Sequence, residues 1–355
     1  MTERHTVAVL GGGQLGRMLA LAGIPLGLSF RFLDPSPDAP AGEVGELLVG
    51  AYDDPERLDR LADGAAAVTY EFENVPVAAA RRVGALPGAA ALEHGQDRFA
   101  EKELFRRLGI PTARFGGLAD TGLPALVKSR RLGYDGKGQR LLREHGLVAE
   151  GELAEELVPF ARELSILAVR GRDGETAFYP VAENVHEGGI LRLSRVPAAG
   201  APQREAEELA ARLLDELSYV GVLAVELFEV DGRLLANEFA PRVHNTGHWT
   251  IEGAATSQFE NHLRAILGLP LGSTALREPC ALVNLIGELP PLPELLSLPG
   301  AHVHLYGKEP RPGRKLGHVT LVGAGAAAVG AARRLAEVSA SGSAAAANRA
   351  PSATP

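Results

Sequence analysis

The sequence predicts an α/β (α+β) protein with a Rossmann-like βαβ unit at its start and a small β-rich region at its end. Three observations carry that prediction. An apolar run, TVAVL at 6–10, feeds directly into GGGQLGRMLALAG, the glycine turn from strand to helix that opens a βαβ unit. Apolar runs at 222–230 and 233–240 flank Asp231-Gly232, a strong hairpin signal. The composition shifts near residue 95 and again near 273, so the chain divides into three regions.

Composition sets the broad class. The chain has 355 residues, 46% hydrophobic and 23% charged, a globular profile with room for two or three domains and a substantial core. The net charge of −8 argues against general binding to nucleic acid or an anionic membrane, because no basic face is implied. An anionic substrate would need a local cluster of Lys and Arg. A single cysteine, Cys280, excludes a disulfide framework and a multi-cysteine zinc site, and reads as a small buried hydrophobe. The amino terminus shows no signal-peptide pattern. No apolar run approaches the roughly 18–20 residues of a transmembrane helix. These features point to the cytoplasm.

In the first region, Gly11, Gly13 and Gly16 satisfy GxGxxG, and a second strand, LSFRFLD, ends in Asp34. This is the dinucleotide fingerprint in its proper context. It raises an NAD-dependent Rossmann oxidoreductase as one reading; the other is a tight βαβ turn without a nucleotide. A helix is predicted over 54–63, with Asp53 or Asp54 as cap and Pro55 in the first turn. A strand over 65–76 ends in Glu71, Glu73 and Asn74. Polar residues there sit where open α/β sheets bind ligands, or they only solvate a loop.

In the second region, residues 96–109 read as an amphipathic helix stopped by Gly109 and Pro111. A strand then ends in Lys128 and enters a loop where Gly133, Gly136 and Gly138 surround Tyr134, Asp135 and Lys137. Such a loop lets backbone N–H groups approach phosphates, with Lys128 and Lys137 to neutralise them; the alternative is a flexible hairpin tip. Residues 151–171 begin acidic, with Glu155 and Glu156 before Leu157 and Val158, and end as a strand bearing Glu163. A strand over 176–182 leads to Glu183, Asn184 and His186. Helices are predicted over 203–218 and 256–268.

In the third region, CALVNLIGE and HVHLYGKEP read as short strands separated by a Pro-rich stretch, 289–299. Arg311, Arg314 and Lys315 precede a last strand, and residues 324–336 form an Ala-rich helix. Residues 337–355 lack apolar periodicity and are predicted to be disordered.

The hairpin carries the chemistry. Glu226 and Glu238 each interrupt an apolar strand, and Arg242, His244, Asn245 and His248 follow. Buried carboxylates are costly unless compensated. For two facing acids, a divalent cation such as Mg²⁺ compensates both; the alternative is an edge hairpin with its acids in water. A strict two-residue loop would oppose Glu226 to Asn237 and turn Glu238 to the other face. A longer loop or one bulge would oppose the two acids. The metal reading requires the second register.

The order of these signals resembles the ATP-grasp superfamily. Within it, GGGQLGRM, TYEFENVP, LVKSRRLGYDGKGQ, NEFAPRVHNTGHWT and GRKLGH resemble the N5-carboxyaminoimidazole ribonucleotide synthases of purine biosynthesis, over about residues 6–335. The resemblance implies an ATP-grasp fold with three domains, 1–94, 95–272 (two lobes hinged near 155–158) and 273–336, with 337–355 as a tail. It implies that ATP meets Arg98, Lys128, the loop Gly133–Gln139 (Gly133, Tyr134, Asp135, Gly136, Lys137, Gly138, Gln139), Glu155, Glu156, Leu157, Val158, Glu163, His186, Asn237 and Glu238. Mg²⁺ would lie on Glu226 and Glu238. The aminoimidazole ribonucleotide would meet Gln14, Glu73, Tyr134, Asp135, Arg242, His244, Asn245, Arg314 and Lys315. Arg242, His244 and Lys137 would serve the chemistry, His244 either holding bicarbonate or an intermediate or relaying a proton. The implied reaction is ATP- and bicarbonate-dependent carboxylation of 5-aminoimidazole ribonucleotide through carboxyphosphate, by a homodimer. The rivals are a purine-pathway ligase using formate, the NAD enzyme, and a non-catalytic nucleotide sensor.

Overall fold

The computed structural model describes residues 5–133, 138–144 and 146–347. Its first sheet comprises β1 (Thr6–Leu10), β2 (Ser29–Asp34), β3 (Glu46–Val49) and β4 (Ala65–Tyr70), all parallel in the order β3-β2-β1-β4. Val7–Leu10 of β1 are fully buried, as a central parallel strand requires. Helices α1 (Gln14–Gly23), α2 (Pro55–Ala62), α3 (Val77–Arg82) and α4 (Ala89–Gly95) belong to this region. The Asp54 side chain caps α2, accepting from the N–H groups of Glu56 and Arg57, with Pro55 at the first position.

After α5 (Arg98–Arg107) comes a small antiparallel sheet with α6 (Leu118–Thr121) beside it. Its strands β5 (Phe115–Gly116), β6 (Ala125–Ser129), β7 (Gln139–Leu142) and β8 (Glu152–Glu156) run in the order β5-β8-β6-β7.

The third sheet has nine strands. They are β9 (Arg162–Arg170), β10 (Thr176–Phe178), β11 (Ala182–Glu187), β12 (Ile190–Val196), β13 (Gly221–Val230), β14 (Arg233–Ala240), β15 (Cys280–Ile286), β16 (Ala301–Leu305) and β17 (Lys315–Val322). The order is β14-β13-β9-β11-β12-β15-β17-β16, with β10 paired to β9. The composition shift near 273 therefore starts no new sheet: β15 pairs with β12, and the last strands extend the sheet that carries the hairpin. The helices of this part are α7 (Gln203–Glu216), α8 (Thr250–Gly253), α9 (Gln258–Leu267), α10 (Leu292–Leu296) and α11 (Ala326–Ala347).

Two faces of that sheet are covered differently. Ala206, Leu209 and Leu213 of α7 pack on Ile166, Ala168, Leu223 and Val225. On the other face, Trp249 packs on Leu167, Ala224 and Leu282, and Met18 and Leu19 of α1 join Phe259 and Leu263 of α9 over Val169 and Val222. Side chains alternate along a strand, so Glu226 continues the face of Val222 and Ala224 to the edge of this cover.

Two sequence expectations need correction. The strand expected over 176–182 is two, β10 and β11, with Pro180 between them, because proline cannot donate to a sheet ladder. Glu183, Asn184 and His186 thus lie within a strand. The last helix runs to Ala347, well into the stretch expected to be disordered; alanine's helix propensity sustains a helix where no apolar stripe exists.

Candidate active site

One cleft of about 660 Å³ lies where the three regions meet. The hairpin forms its floor. Asp231 and Gly232 both have positive φ, 50° and 75°, the requirement of a two-residue I′ turn, and Val230 pairs with Arg233. The register then shifts between Glu226 and Leu227, so that Glu226 stands opposite Glu238. One bulge thus gives the register that the metal reading requires.

The surroundings divide the two acids. Burial and the facing Glu238 charge push Glu226 up to about 7. Burial also opposes ionisation of Glu238, but the Arg98 guanidinium, 2.8 Å from its Oε2, outweighs it and holds Glu238 below the usual carboxylate range. A divalent cation would relieve the repulsion. Among the described residues no group of three or more His, Cys, Asp or Glu could hold a metal. Two carboxylates shared with substrate phosphates are nonetheless a common Mg²⁺ arrangement. The buried Asn237 Oδ1 beside them has no hydrogen-bond partner, so a further hard donor is available, and the residues fit the ion.

Cations converge on the same space. Arg98, Lys128, Arg242, Lys308 and Lys315 all line the cleft, the local cluster that an anionic ligand needs in a chain of net charge −8. Glu163 pairs with His186 Nδ1, and both line the cleft. Arg242 binds Glu73 through Nε, and Lys308 donates to Gln14 Oε1. Gln258 grips both backbone groups of His244: it accepts from the N–H at 2.9 Å and donates to the carbonyl at 2.7 Å. Burial, with Arg242 and Lys315 adding to it, drives His244 well below its usual range. It is therefore neutral near pH 7, with Nε2 3.5 Å from Glu226 Oε1. Both side-chain atoms of Asn245 are buried without a partner, as a ligand-facing amide would be.

Three family models tile the chain. They are a ribonucleotide synthetase preATP-grasp domain over residues 4–96, an ATP-grasp domain over 116–259, and a phosphoribosylaminoimidazole carboxylase C-terminal domain over 280–332. The N5-carboxyaminoimidazole ribonucleotide synthase of Pseudomonas aeruginosa is 52% identical over 357 residues, covering 94% of this chain and 98% of its own. The chain belongs to the N5-carboxyaminoimidazole ribonucleotide synthase family. A Thermus thermophilus synthetase of that name has a similar crystal structure (TM-score 0.89, 56% identity, 94% of this chain and 98% of that one covered). So has an Aspergillus clavatus synthase crystallised with ADP and 5-aminoimidazole ribonucleotide (TM-score 0.85, 32% identity, 95% and 99% covered).

With the synthase family established, the expected residues can be located one by one. Gln14, Glu73, Arg98, Lys128, Gly133, Gln139, Glu163, His186, Glu226, Asn237, Glu238, Arg242, His244, Asn245 and Lys315 line the cleft. Tyr134, Asp135, Gly136 and Lys137 lie outside the described residues. Glu155, Glu156, Leu157 and Val158 do not line it. Glu155 points inward instead, its carboxylate 2.9 Å from Lys128 Nζ and 3.5 Å from Lys102 Nζ. The Glu156 carboxylate is held by Arg114. Arg314 is also absent from the lining and donates to the Glu309 carbonyl. The cationic wall uses Lys308, which sequence reading passed over; its position in YGKEP, just past a strand, was the available signal. Glu101 and Lys102 were hidden in an ordinary-looking helix.

The dinucleotide reading fails on geometry. Gly13 N–H and Gly16 N–H, the donors that would cradle a pyrophosphate, bind Glu71 Oε1 and Oε2 at 2.8 and 3.0 Å. A Cβ on Gly13 would lie 2.4 Å from Glu71 Oε1, so the glycines make room for the protein's own carboxylate. Asp34, the expected ribose ligand, accepts from Gly12 N–H and Tyr52 Oη–H. Titration with NADH is therefore expected to change neither nicotinamide fluorescence nor the melting temperature; quenching, with thermal protection by NADH and none by ATP, would restore the oxidoreductase.

Proposed function

We propose that the protein carboxylates 5-aminoimidazole ribonucleotide at its exocyclic nitrogen, using ATP and bicarbonate, to give N5-carboxyaminoimidazole ribonucleotide. The observation that carries this reading is the shared cleft. The paired acids, Arg98 and Lys128 line it. Gln14, Glu73, Arg242, His244, Asn245 and Lys315 line the same cleft, with His244 Nε2 3.5 Å from Glu226 Oε1.

Bicarbonate is a poor electrophile. A bicarbonate oxygen attacks the γ-phosphorus of ATP, the bond to the bridging oxygen breaks, and ADP leaves. The carboxyphosphate so formed is a mixed anhydride. The ribonucleotide amine then forms the new C–N bond at its carbonyl carbon, or at CO₂ released from it, phosphate departs, and the amine proton passes to solvent or a nearby base. Phosphoryl transfer needs positioning and charge neutralisation more than covalent help. Arg98 and Lys128 hold the nucleotide phosphates, with Gly133, Gln139 and Asn237 beside them. Glu163 and His186 bind the sugar side of the nucleotide. Glu226 and Glu238 would hold Mg²⁺, which would supply charge screening for phosphoryl transfer. Arg242 and neutral His244 keep the bicarbonate-derived group next to the acceptor, and Lys315 attracts the ribonucleotide 5′-phosphate. We place the protein in the cytoplasm as a homodimer; no helix among the described residues is long and apolar enough to cross a membrane.

The deciding experiment is ADP release from ATP and bicarbonate with and without 5-aminoimidazole ribonucleotide. Release that depends strictly on the ribonucleotide is expected. Stimulation by formate with a different ribonucleotide would replace this reading by the formate ligase. Lys315→Ala should raise the ribonucleotide KM on the order of 10- to 100-fold, the loss of one charged hydrogen bond, with little change for ATP. An equal rise for both substrates would contradict the phosphate role.

A further inference from the structure

The turn of the hairpin does not by itself give the register of the two acids. With Val230 opposite Arg233, an uninterrupted ladder would carry Glu226 to Asn237 and turn Glu238 away. One extra residue has to be held in β14 against this tendency. A bulge also leaves backbone groups out of the ladder, and buried backbone groups need partners.

Those partners come from two adjacent residues of α5. Lys102 Nζ donates to the Asn237 carbonyl at 2.7 Å and to the Ala236 carbonyl at 3.4 Å. Glu101 Oε1 accepts from the Phe239 N–H at 2.6 Å. The held carbonyl and N–H therefore flank Glu238, on the edge strand of the sheet. The loop before β5 continues the seal: Ala236 N–H donates to the Pro111 carbonyl and Thr112 Oγ1 to the Ala236 carbonyl, both at 2.7 Å. Glu101 and Lys102 are 3% and 1% exposed. Burying two charged groups is costly, and an apolar pair would fill the same helix face; what an apolar pair cannot do is satisfy a bulge.

We infer that Glu101 and Lys102 are positioning residues that clamp the backbone on either side of Glu238, fixing the register in which it faces Glu226. The inference rests on reading those two acids as the metal ligands. Lys102 also touches Glu155, which holds Lys128. The clamp thus ties the carboxylate pair to the cation that meets the nucleotide phosphates.

The test is a titration of the full-length protein with Mn²⁺ in the presence of ADP, read by electron paramagnetic resonance, with ribonucleotide binding measured in parallel. Glu238→Gln, Lys102→Met and Glu101→Ala are each expected to weaken Mn²⁺ binding on the order of 10- to 100-fold, as loss of a group that orients a ligand does. Glu101→Gln should stay near wild type, since its amide oxygen accepts the same N–H. Ribonucleotide binding, through Gln14, Glu73, Arg242 and Lys315, should persist in all four. Wild-type Mn²⁺ affinity in Lys102→Met and Glu101→Ala, beside a loss in Glu238→Gln, overturns the clamp and leaves the metal reading standing. Wild-type affinity in Glu238→Gln overturns the metal reading itself. A loss in Glu101→Gln as deep as in Glu101→Ala also overturns the clamp, because it makes the Glu101 charge a ligand. Parallel loss of ribonucleotide binding does the same, by making the defect one of general folding. If Lys102→Met does not fold, the two Glu101 variants decide the matter between them.

Discussion

Glu238→Ala is expected to reduce ribonucleotide-dependent ADP release by at least two to three orders of magnitude, the scale on which removal of one preorganised charge acts. It should leave the fold intact. Two stability effects oppose one another. Arg98 loses the carboxylate at 2.8 Å, although the Glu101 and Glu155 charges still favour its ionisation. In return Glu226 loses the like charge that helps to push it up to about 7. The Glu238 side chain is 37% exposed to the cleft, so little packing is lost. For a chain of this length the melting temperature should move by no more than about 3 °C. Steady-state assay and a melting curve on one preparation check both halves. Full activity in the variant would refute the metal assignment, and a collapsed melting temperature would make the loss structural.

The features legible in the sequence were those whose causes lie close together along the chain. Asp231-Gly232 announced its turn because both positions need positive φ. Asp54-Pro55 announced a helix start, and the acids on greasy strands announced a site. The bulge was legible only as one of two registers, because what selects it, Glu101 and Lys102, lies more than a hundred residues earlier. Those two residues share the buried side of α5 with Leu104 and Phe105, and no local pattern says that this side meets an edge strand. Pairing of β15 with β12 was invisible for the same reason. The inward turn of Glu155 depends on Lys102, again from another element. GxGxxG misled because its local form is the same whether a pyrophosphate or Glu71 fills the turn. Resemblance to the family supplied the site set that spacing alone left open; geometry qualifies the expectations it carried for Gly138, Glu155, Glu156, Leu157, Val158 and Arg314, none of which lines the cleft.

The buried charges around Glu155, Lys102 and Lys128 should limit the stability of the fold in acid, and Glu155 is where that limit should appear. Burial opposes its ionisation, but Lys102 and Lys128 outweigh it and hold Glu155 down to about 2, from an ordinary 4.5. A depressed carboxylate contributes stability that is fully present above its ordinary value and is lost as pH falls through the folded one. Here that is the window from 4.5 down to about 2, and the contribution is about 3 kcal/mol. Glu155→Gln removes the anion between two buried ammonium groups, and breaking such a pair costs about 3–5 kcal/mol near pH 7. Lys102 limits the cost: burial already lowers its proton affinity, so it can deprotonate once Glu155 is neutral. The difference between wild type and variant should therefore be widest near neutral pH and shrink as the wild-type carboxylate is protonated. Urea midpoints for both proteins at several pH values from 7 to 3 test this. A gap that stays constant across the series would show that Glu155 acts through packing and not through its charge, and a gap that widens toward acid would reverse the sign of the argument.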